Sequence, residues 1–314
     1  MIFNEDSRVK IPTVLHLMRL GYKYLVKKEH KRDHSTNIFT DIFENNIKRL
    51  NPDLTSTDIK RYYDNISLCL DNKDIGKSFY EKITAKSGIR AIDFENFDNN
   101  EFHVLTELTY KNDDDEFRPD ITLLVNGMPL VFLEVKKPNN KDGVLAERER
   151  IQSRFKNKKF RKFINITQLI IFSNNMEYED TSHLPIEGAF YATSSYENSE
   201  FNYFREEEEL NLSDLLNEVS EEEENLVLRD NNLFEIKKSE EFEVNKNIKK
   251  PTNKICTSLF LKNRLAFFLK YGFAYLVDKG SIQKHVIRYQ QFFALKNIKK
   301  NLDKNQKKGV IWHT

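Results

Sequence analysis

The sequence RPDITLLVNGMPLVFLEVK, residues 118–136, has the pattern of a β-hairpin around which the rest of the fold can be organised. Residues 121–125 are apolar and rich in branched side chains, which is typical of a strand. Asn126-Gly127 follows, and this pair favours a type I′ turn because both central residues of that turn need a positive φ. Residues 130–136 are the predicted return strand.

Polar side chains are predicted to converge at the open end of this hairpin. Side chains alternate along a strand, so Glu134 and Lys136 share one face, and the turn brings Asp120 beside Glu134. Such groups are costly on apolar strands unless they are satisfied, and a divalent metal would satisfy them. The alternative is a surface hairpin with an Asp at one end and a Glu/Lys pair on the second strand.

The predicted chemistry is phosphodiester hydrolysis. Mg²⁺ takes oxygen ligands and is typically held by one or two carboxylates, which Asp120 and Glu134 supply, and the backbone carbonyl of Val135 could add a third ligand. We expect the metal to activate a water and to neutralise charge on the attacked phosphate. We expect Lys136 to orient that water or to stabilise the developing charge.

At this point the sequence resembles a known family. Pro119-Asp120, followed after the hairpin turn by Glu-x-Lys at Glu134, resembles the PD-(D/E)xK nuclease pattern. The flanks RPDITLLVNGMPLVFLEVKKP and NITQLIIFSNNMEY are similar to the N-terminal endonuclease domain of the restriction (R) subunit of type I restriction-modification enzymes. The resemblance implies an α/β fold with a PD-(D/E)xK core, in which helices flank a central mixed β-sheet. It also implies action on double-stranded DNA together with methyltransferase and specificity subunits, which read the target sequence.

Composition limits the classes of protein. The 314 residues are 39% hydrophobic, enough for a sizeable core, and 50 Lys plus Arg against 49 Asp plus Glu give a net charge that does not predict a nucleic-acid partner. Cys69 and Cys256 lie in apolar sequence and are predicted to be buried free thiols, as in a reducing compartment. With no apolar signal sequence and no apolar run of membrane-spanning length, we expect a soluble cytoplasmic protein with no membrane partner.

The spacing of apolar residues predicts further elements. Helical spacing predicts helices at 6–20, 36–50, 57–70 and 144–160. Short apolar runs predict strands at 102–110, 167–173 and 188–193. The run KNDDDE, residues 111–116, is predicted to be a solvated acidic loop, although its three aspartates could compete as metal ligands.

Composition shifts near residues 204 and 250 separate an acidic helical linker, 205–249, from the rest of the chain. The resemblance implies an endonuclease domain over 1–204 and the start of a RecA-like helicase or translocase motor domain over 250–314. The linker carries two glutamate runs, which would repel DNA phosphates, so it is predicted to be solvated and to lie away from the nuclease cleft.

The third part carries its own resemblance. Arg288, Gln291 and Ala294 resemble the glutamine motif that contacts adenine in superfamily 2 helicases, so Gln291 would contact the adenine of ATP in the intact protein only. The alternative is an ordinary amphipathic helix. The final residues KKGVIWHT resemble the strand that leads into the ATP-binding loop, and no GxxxxGK[ST] is present. The resemblance therefore implies an incomplete motor domain, truncated just before the Walker A loop.

Other side chains are candidates for supporting roles. In relatives of this fold a Gln-x-x-x-Tyr pair follows the Glu-x-Lys strand, whereas here Arg154 and Phe155 follow Gln152. Gln152 is a candidate for a supporting hydrogen bond and Arg154 for a phosphate contact; the alternative is that both lie on the solvent face of a charged helix. Glu5 is a candidate for an extra carboxylate near the metal, and capping of the first helix is the alternative for this region. A basic patch, predicted to contact phosphates independently of sequence, includes Lys156, Lys158, Lys159 and Arg161.

Three functions are consistent with these patterns. The first is the Mg²⁺-dependent endonuclease module of a type I restriction subunit, which hydrolyses DNA without its own sequence readout. The second is a non-catalytic DNA-binding or assembly fragment, in which no metal binding would depend on Asp120. The third is a stand-alone PD-(D/E)xK nuclease of the repair type, against which the motor-like tail argues.

Overall fold

The computed structural model describes residues 5–138, 143–179, 187–196, 199–278, 280–304 and 308–310. The helices are α1 (Ile11–Arg19), α2 (Thr40–Leu50), α3 (Ser56–Cys69), α4 (Lys77–Ile83), α5 (Gly143–Lys156), α6 (Arg161–Ile166), α7 (Leu212–Leu215), α8 (Glu221–Asp230), α9 (Glu240–Asn245), α10 (Pro251–Phe260), α11 (Lys262–Tyr271) and α12 (Tyr289–Asp303). The strands are β1 (Lys23–Tyr24), β2 (Phe102–Thr106), β3 (Tyr110–Asn112), β4 (Asp115–Phe117), β5 (Ile121–Val125), β6 (Met128–Val135), β7 (Leu169–Ser173), β8 (Ala189–Ala192), β9 (Asn202–Tyr203), β10 (Phe273–Asp278) and β11 (Ser281–Val286).

A mixed seven-stranded sheet forms the centre of the protein, in the order β1-β2-β5-β6-β7-β8-β9. Strands β2, β5 and β6 form an antiparallel meander, whereas β6 and β7 are parallel and are joined through α5 and α6. Two separate hairpins, β3-β4 and β10-β11, lie outside this sheet. The α/β class and the central mixed sheet with flanking helices are as predicted.

The β5-β6 hairpin forms as expected from its sequence. Asn126 and Gly127 have φ values of 50° and 80°, as a type I′ turn requires. The turn packs against the start of α2, where the Phe39 N–H donates to the Gly127 carbonyl oxygen at 3.0 Å. A Cβ on Gly127 would lie 2.7 Å from the Phe39 carbonyl oxygen, so only glycine fits here. The return strand begins at Met128, two residues earlier than predicted.

Alternate side chains of the sheet enter two hydrophobic clusters. Leu123 and Leu133 face the larger cluster, which also receives apolar side chains from α1, α2, α3, α10 and α11. Leu124 and Phe132 face the second cluster, to which α5 and α6 contribute. The sheet is therefore covered on both faces, which explains why its central strands are mostly apolar.

The strand predicted at 102–110 ends at Thr106, and the reason is local. Glu107 has a φ of 50°, and its N–H donates to the Asp120 carbonyl oxygen at 3.1 Å, so the chain leaves the sheet there. The solvated acidic turn predicted at 111–116 is present and largely exposed, but short strands flank it: β3 and β4 pair as a hairpin with Asp113 at positive φ in the turn. Among the described residues, the acidic side chains of this hairpin belong to no cluster that could hold a metal ion.

Other predicted elements formed with small changes in their ends. The first helix begins with a π-helical turn at Asp6–Lys10 before α1, and the helix predicted from 36 begins at Thr40. The helix predicted over 144–160 ends at Lys156. It stops there because the Asn157 side chain accepts the Lys159 N–H and caps a short 3₁₀ turn instead.

The predicted solvated linker, 205–249, packs against the rest of the protein. Its helices α8 and α9 bury Val227, Leu228 and Phe242 in the larger hydrophobic cluster. The glutamates that open α8 lie in its first turn, where the partial positive charge of the helix terminus favours carboxylates. The charged residues of this segment therefore occupy one face of its helices, and the opposite face is apolar and buried. The expectation that the linker is fully solvated was wrong.

The part after residue 250 is also in direct contact with the sheet and α1. The His16 imidazole on α1 lies 2.8 Å from the Thr257 hydroxyl on α10, and Lys284 on β11 donates to the Thr167 carbonyl oxygen at 2.8 Å. In α11, Arg264 is buried and forms ion pairs with Glu206 and Glu208. The three-part division of the chain stays a prediction, but its parts share one hydrophobic cluster.

Two smaller expectations concern cysteines and membranes. Cys256 is buried and Cys69 is partly exposed, and both are free thiols, so burial was predicted correctly for only one of them. Within the part of the chain that the structure describes, none of the helices has the length and apolar character needed to cross a bilayer.

Candidate active site

The structure brings Asp120, Glu134 and Lys136 together at the open end of the β5-β6 hairpin. Asp120 lies immediately before β5, and its Oδ2 accepts the Val135 N–H at 2.8 Å. The Lys136 N–H donates to the Ser173 carbonyl oxygen at the end of β7, at 2.7 Å. The main chain therefore holds the site residues in a fixed relation to three adjacent strands.

The ammonium group of Lys136 lies among several carboxylates. Its Nζ is 3.5 Å from Glu5 Oε1, 3.8 Å from Glu147 Oε1 and 4.0 Å from Asp120 Oδ2, and it donates to the Val135 carbonyl oxygen at 3.0 Å. Burial lowers the pKa of Lys136, but the surrounding carboxylates outweigh burial and leave its pKa above the usual value. Lys136 is therefore a charged hydrogen-bond donor at neutral pH.

When ionised, the two carboxylates predicted to bind metal carry negative charge that the protein compensates only in part. Burial is the main cause that raises the pKa of Asp120, and burial together with the charge of Asp120 raises the pKa of Glu134 well above its usual value. Glu134 is only 4% exposed, and its Oε1 has no hydrogen-bond partner within the described residues. A cation at this position would relieve both costs.

The donor set fits Mg²⁺ better than a metal that prefers nitrogen or sulfur ligands, such as Zn²⁺. Asp120, Glu134 and the Val135 carbonyl offer oxygen only, as Mg²⁺ prefers, and Mg²⁺ needs few protein ligands because it keeps several waters. Over the described ranges, no group of three or more His, Cys, Asp or Glu side chains is arranged to hold a metal ion. A metal here would therefore rest on two carboxylates, the carbonyl and water.

Two further glutamates approach the site. Glu5, a sequence candidate, reaches Lys136 as noted above, and burial raises its pKa. Glu147 on α5 was given no role from sequence, yet it is 3% exposed and contacts both Lys136 and Arg150, the latter at 2.7 Å. The sequence did contain a sign that Glu147 is buried, because it interrupts the apolar stripe that Val144 and Ile151 define on α5.

The two accessory candidates on α5 differ in what they contact. The guanidinium of Arg154 lies over the Phe117 ring at 4.4 Å, and its NH1 is 3.5 Å from Glu134 Oε1. The Gln152 amide instead accepts the Ser199 N–H at 2.9 Å and donates to the Ser195 carbonyl oxygen at 3.2 Å. Gln152 thus supports a neighbouring loop, and these two bonds do not reach the site carboxylates.

The predicted basic patch is partly neutralised. Lys159 pairs with Asp115 at 3.1 Å, and the Arg161 guanidinium donates to the Asp71 carbonyl oxygen at 3.1 Å. Lys156 and Lys158 are exposed. Part of this patch lines a groove of 440 Å³ between the β3-β4 hairpin and the start of α6.

Gln291, the candidate for adenine contact, lies in the first turn of α12. Its Oε1 accepts the Arg288 N–H at 2.9 Å in a capping box. In this arrangement the side chain caps the helix that carries it.

A mixed sheet between helical layers, with acidic and basic side chains gathered at one end of its central strands, is consistent with a nuclease core. The chain belongs to the family described as type I restriction enzyme R protein N terminus, whose family model matches residues 2–181. The family predicted from the hairpin motif and its flanks is therefore confirmed.

Relatives of this chain include three endonuclease subunits of type I restriction enzymes. One, described as the putative MjaIXP subunit of Methanocaldococcus jannaschii, is 29% identical over 199 residues, which cover 55% of this chain and 19% of the relative. The putative MjaVIIP subunit of the same organism is 24% identical over 256 residues, which cover 78% of this chain and 19% of the relative. The HindI subunit of Haemophilus influenzae is 26% identical over 165 residues, which cover 44% of this chain and 15% of the relative. The matches thus span about a fifth or less of each relative's length.

Proposed function

We propose that this chain is the Mg²⁺-dependent DNA endonuclease module of a type I restriction subunit, and that it hydrolyses phosphodiesters without its own sequence readout. The observation that carries the proposal is the position of Lys136 among the carboxylates of Glu5, Asp120 and Glu147, next to the under-compensated Glu134. Membership of the restriction-subunit family supports the same conclusion.

In this proposal Asp120, Glu134 and the Val135 carbonyl would hold the metal. The Val135 N–H binds one oxygen of Asp120 and so orients the other for a ligand. When bound, Mg²⁺ supplies a water of lowered pKa and positive charge at the attacked phosphate. Glu134 Oε1 accepts no hydrogen bond from the described residues, so no hydrogen bond has to be broken before this oxygen binds a metal ion.

Lys136 would act as a donor rather than as a general base, because its neighbours keep it protonated. One of its three donors is directed to the Val135 carbonyl, and Glu5 and Glu147 lie close enough to hold the ammonium in place. The remaining donor capacity can orient a water or stabilise charge that develops on the phosphate oxygens.

The proposed partners are double-stranded DNA and the methyltransferase and specificity subunits of a restriction complex, which would read the target. The part after residue 250 is proposed to belong to a RecA-like motor domain that uses ATP. Gln291 would have to release its capping bond to Arg288 before it could contact adenine.

The experiment that tests this proposal uses the full-length subunit assembled with its partner subunits. Asp120→Asn, Glu134→Gln and Lys136→Ala should each abolish DNA cleavage with Mg²⁺ present, while assembly and DNA binding persist. Glu207→Gln, which removes an exposed carboxylate, is the matched control and should cleave normally. Full cleavage by all three site variants would refute the proposal, and intact assembly with no metal binding to wild type would favour a non-catalytic fragment.

A further inference from the structure

Glu107 makes an unusual set of contacts beside Asp120. It is a non-glycine residue with a φ of 50°, a region that costs most side chains energy and is often retained at functional sites. Its N–H donates to the Asp120 carbonyl oxygen at 3.1 Å, and its own carbonyl oxygen accepts from Lys27 Nζ at 2.9 Å. Its carboxylate pairs with Lys10 at 3.0 Å and with Arg118 at 3.3 Å. One backbone position therefore gathers three cations next to the site.

The cations around Glu107 differ in how far they are neutralised. Lys10 is buried and is shared between Asp6 and Glu107, so it is a structural cation. Arg118 has a side chain that is 59% exposed, and an ion pair so exposed to water contributes little and is easily exchanged. Lys27 meets only a carbonyl dipole there, and no carboxylate of the described residues forms an ion pair with it.

Further positive charge lies close to Lys27. Burial lowers the pKa of Lys27. The charges of Glu107 and Asp230 oppose this effect, and the smaller effects of Arg32 and Arg118 lower the pKa further. Arg32 itself contacts the His34 imidazole at 2.9 Å and no described carboxylate at ion-pair distance. Like charges held together in this way are stabilised when an external anion binds.

Arg118 is positioned to contact a DNA strand that extends from the candidate active site. Arg118 precedes Asp120 by two residues, so their Cα atoms are at most about 7 Å apart. Phosphates along one DNA strand are spaced by about 3.4 Å of helix axis, which places more than one within reach of this surface. Arg154 packs on Phe117, the residue before Arg118, and its NH1 lies 3.5 Å from Glu134 Oε1, so a further cation lies near the site carboxylates.

We propose that Arg118 and Lys27, positioned by Glu107, form a binding site for the DNA phosphate backbone beside Asp120. This inference rests on the proposed nuclease function and adds residues to it that the hairpin motif did not suggest. The scissile phosphate would lie at the site carboxylates, and Arg118 and Lys27 would hold a neighbouring phosphate of the same strand.

The test is DNA affinity as a function of salt, measured with the wild-type chain and single variants. Fluorescence anisotropy of a short labelled duplex, in EDTA to prevent cleavage, is recorded between about 50 and 200 mM salt. Arg118→Gln and Lys27→Gln should each weaken binding about tenfold at low salt and reduce the slope of log affinity against log salt by about 1. Arg118→Lys, which keeps the charge, should retain most of the affinity. Lys60→Gln, which removes an exposed charge on α3, is the control and should behave as wild type.

The outcomes separate this inference from the function on which it rests. Unchanged affinity and salt slope in both glutamine variants, with unchanged circular dichroism, would overturn the phosphate site even if Asp120→Asn abolishes cleavage in the assembled enzyme. If Arg118→Gln and Lys27→Gln weaken binding only as much as Lys60→Gln does, the phosphate site is overturned as well, because the loss then reflects only the change in net charge. Absence of any duplex binding by wild type at low salt would overturn the site and count against the nuclease proposal.

Discussion

Replacement of Glu134 by glutamine is expected to stabilise the protein at alkaline pH and to have no effect at acid pH. The pKa of Glu134 is raised by burial and by Asp120, so the folded protein holds a proton that the unfolded chain releases near its usual pKa of about 4.3. Stability contributed by this group is complete below that pKa and is lost as pH rises through the folded-state pKa. The glutamine side chain does not titrate, so the variant avoids this loss.

The magnitude follows from the surroundings of the side chain. Each pKa unit by which folding raises the Glu134 pKa costs about 1.4 kcal/mol at high pH. An unsatisfied buried polar group costs about 1–3 kcal/mol, and Glu134 Oε1 is such an atom. We therefore expect Glu134→Gln to be more stable than wild type by about 2 kcal/mol at pH 8 and equal to it within about 0.5 kcal/mol at pH 4.

The assay is urea denaturation followed by circular dichroism, with EDTA present, across this pH range. Glu207→Gln serves as the control, because its carboxylate is exposed and should give no pH-dependent difference. Adding Mg²⁺ at a hundred times its Kd should stabilise wild type by about 2.7 kcal/mol and leave Glu134→Gln nearly unchanged. A variant less stable than wild type at pH 8 in EDTA would refute the claim that the protein compensates the charge of Glu134 only in part.

Three further perturbations have defined outcomes. Gly127→Ala should destabilise the protein by about 2–4 kcal/mol in urea denaturation, because the turn needs positive φ and the new methyl would meet the Phe39 carbonyl; a cost under about 1 kcal/mol would contradict this packing. Lys136→Met should lower stability at pH 8 by about 3 kcal/mol in EDTA, since it removes the cation from buried carboxylates, and stability equal to wild type would show that they do not need it. Gln152→Ala should leave cleavage by the assembled enzyme within a fewfold of wild type but speed hydrogen exchange at the Ser199 amide; loss of cleavage with unchanged exchange would instead give Gln152 a direct role at the site.

The hairpin and its carboxylates could be predicted because the signals that decide them are local. Asn126-Gly127 specifies the turn, alternation specifies the faces, and together they bring Asp120 to the end of β6. The helices α2 and α3 were similarly visible as apolar stripes. No contact with a distant part of the chain is needed to reach these conclusions.

The parts that sequence did not reveal depend on contacts between distant residues. Glu147 is close to Lys136 only because α5 packs across the sheet, and the partners of Gln152 lie more than 40 residues further along the chain. The acidic segment was interpreted from its charged residues, although Phe242 and its neighbours bury an apolar face. Glu107 gave no sign of its positive φ, because that conformation is fixed by its bond to Asp120 and by its cation partners.

The measurement that tests the central claim most directly is anomalous diffraction from a crystal of this chain soaked with Mn²⁺ as a substitute for Mg²⁺. We predict a peak within coordination distance of Asp120, Glu134 and the Val135 carbonyl, and loss of that peak in Asp120→Ala. A wild-type crystal with Mn²⁺ at saturating concentration and no peak between those two carboxylates would contradict the proposed metal-dependent active site.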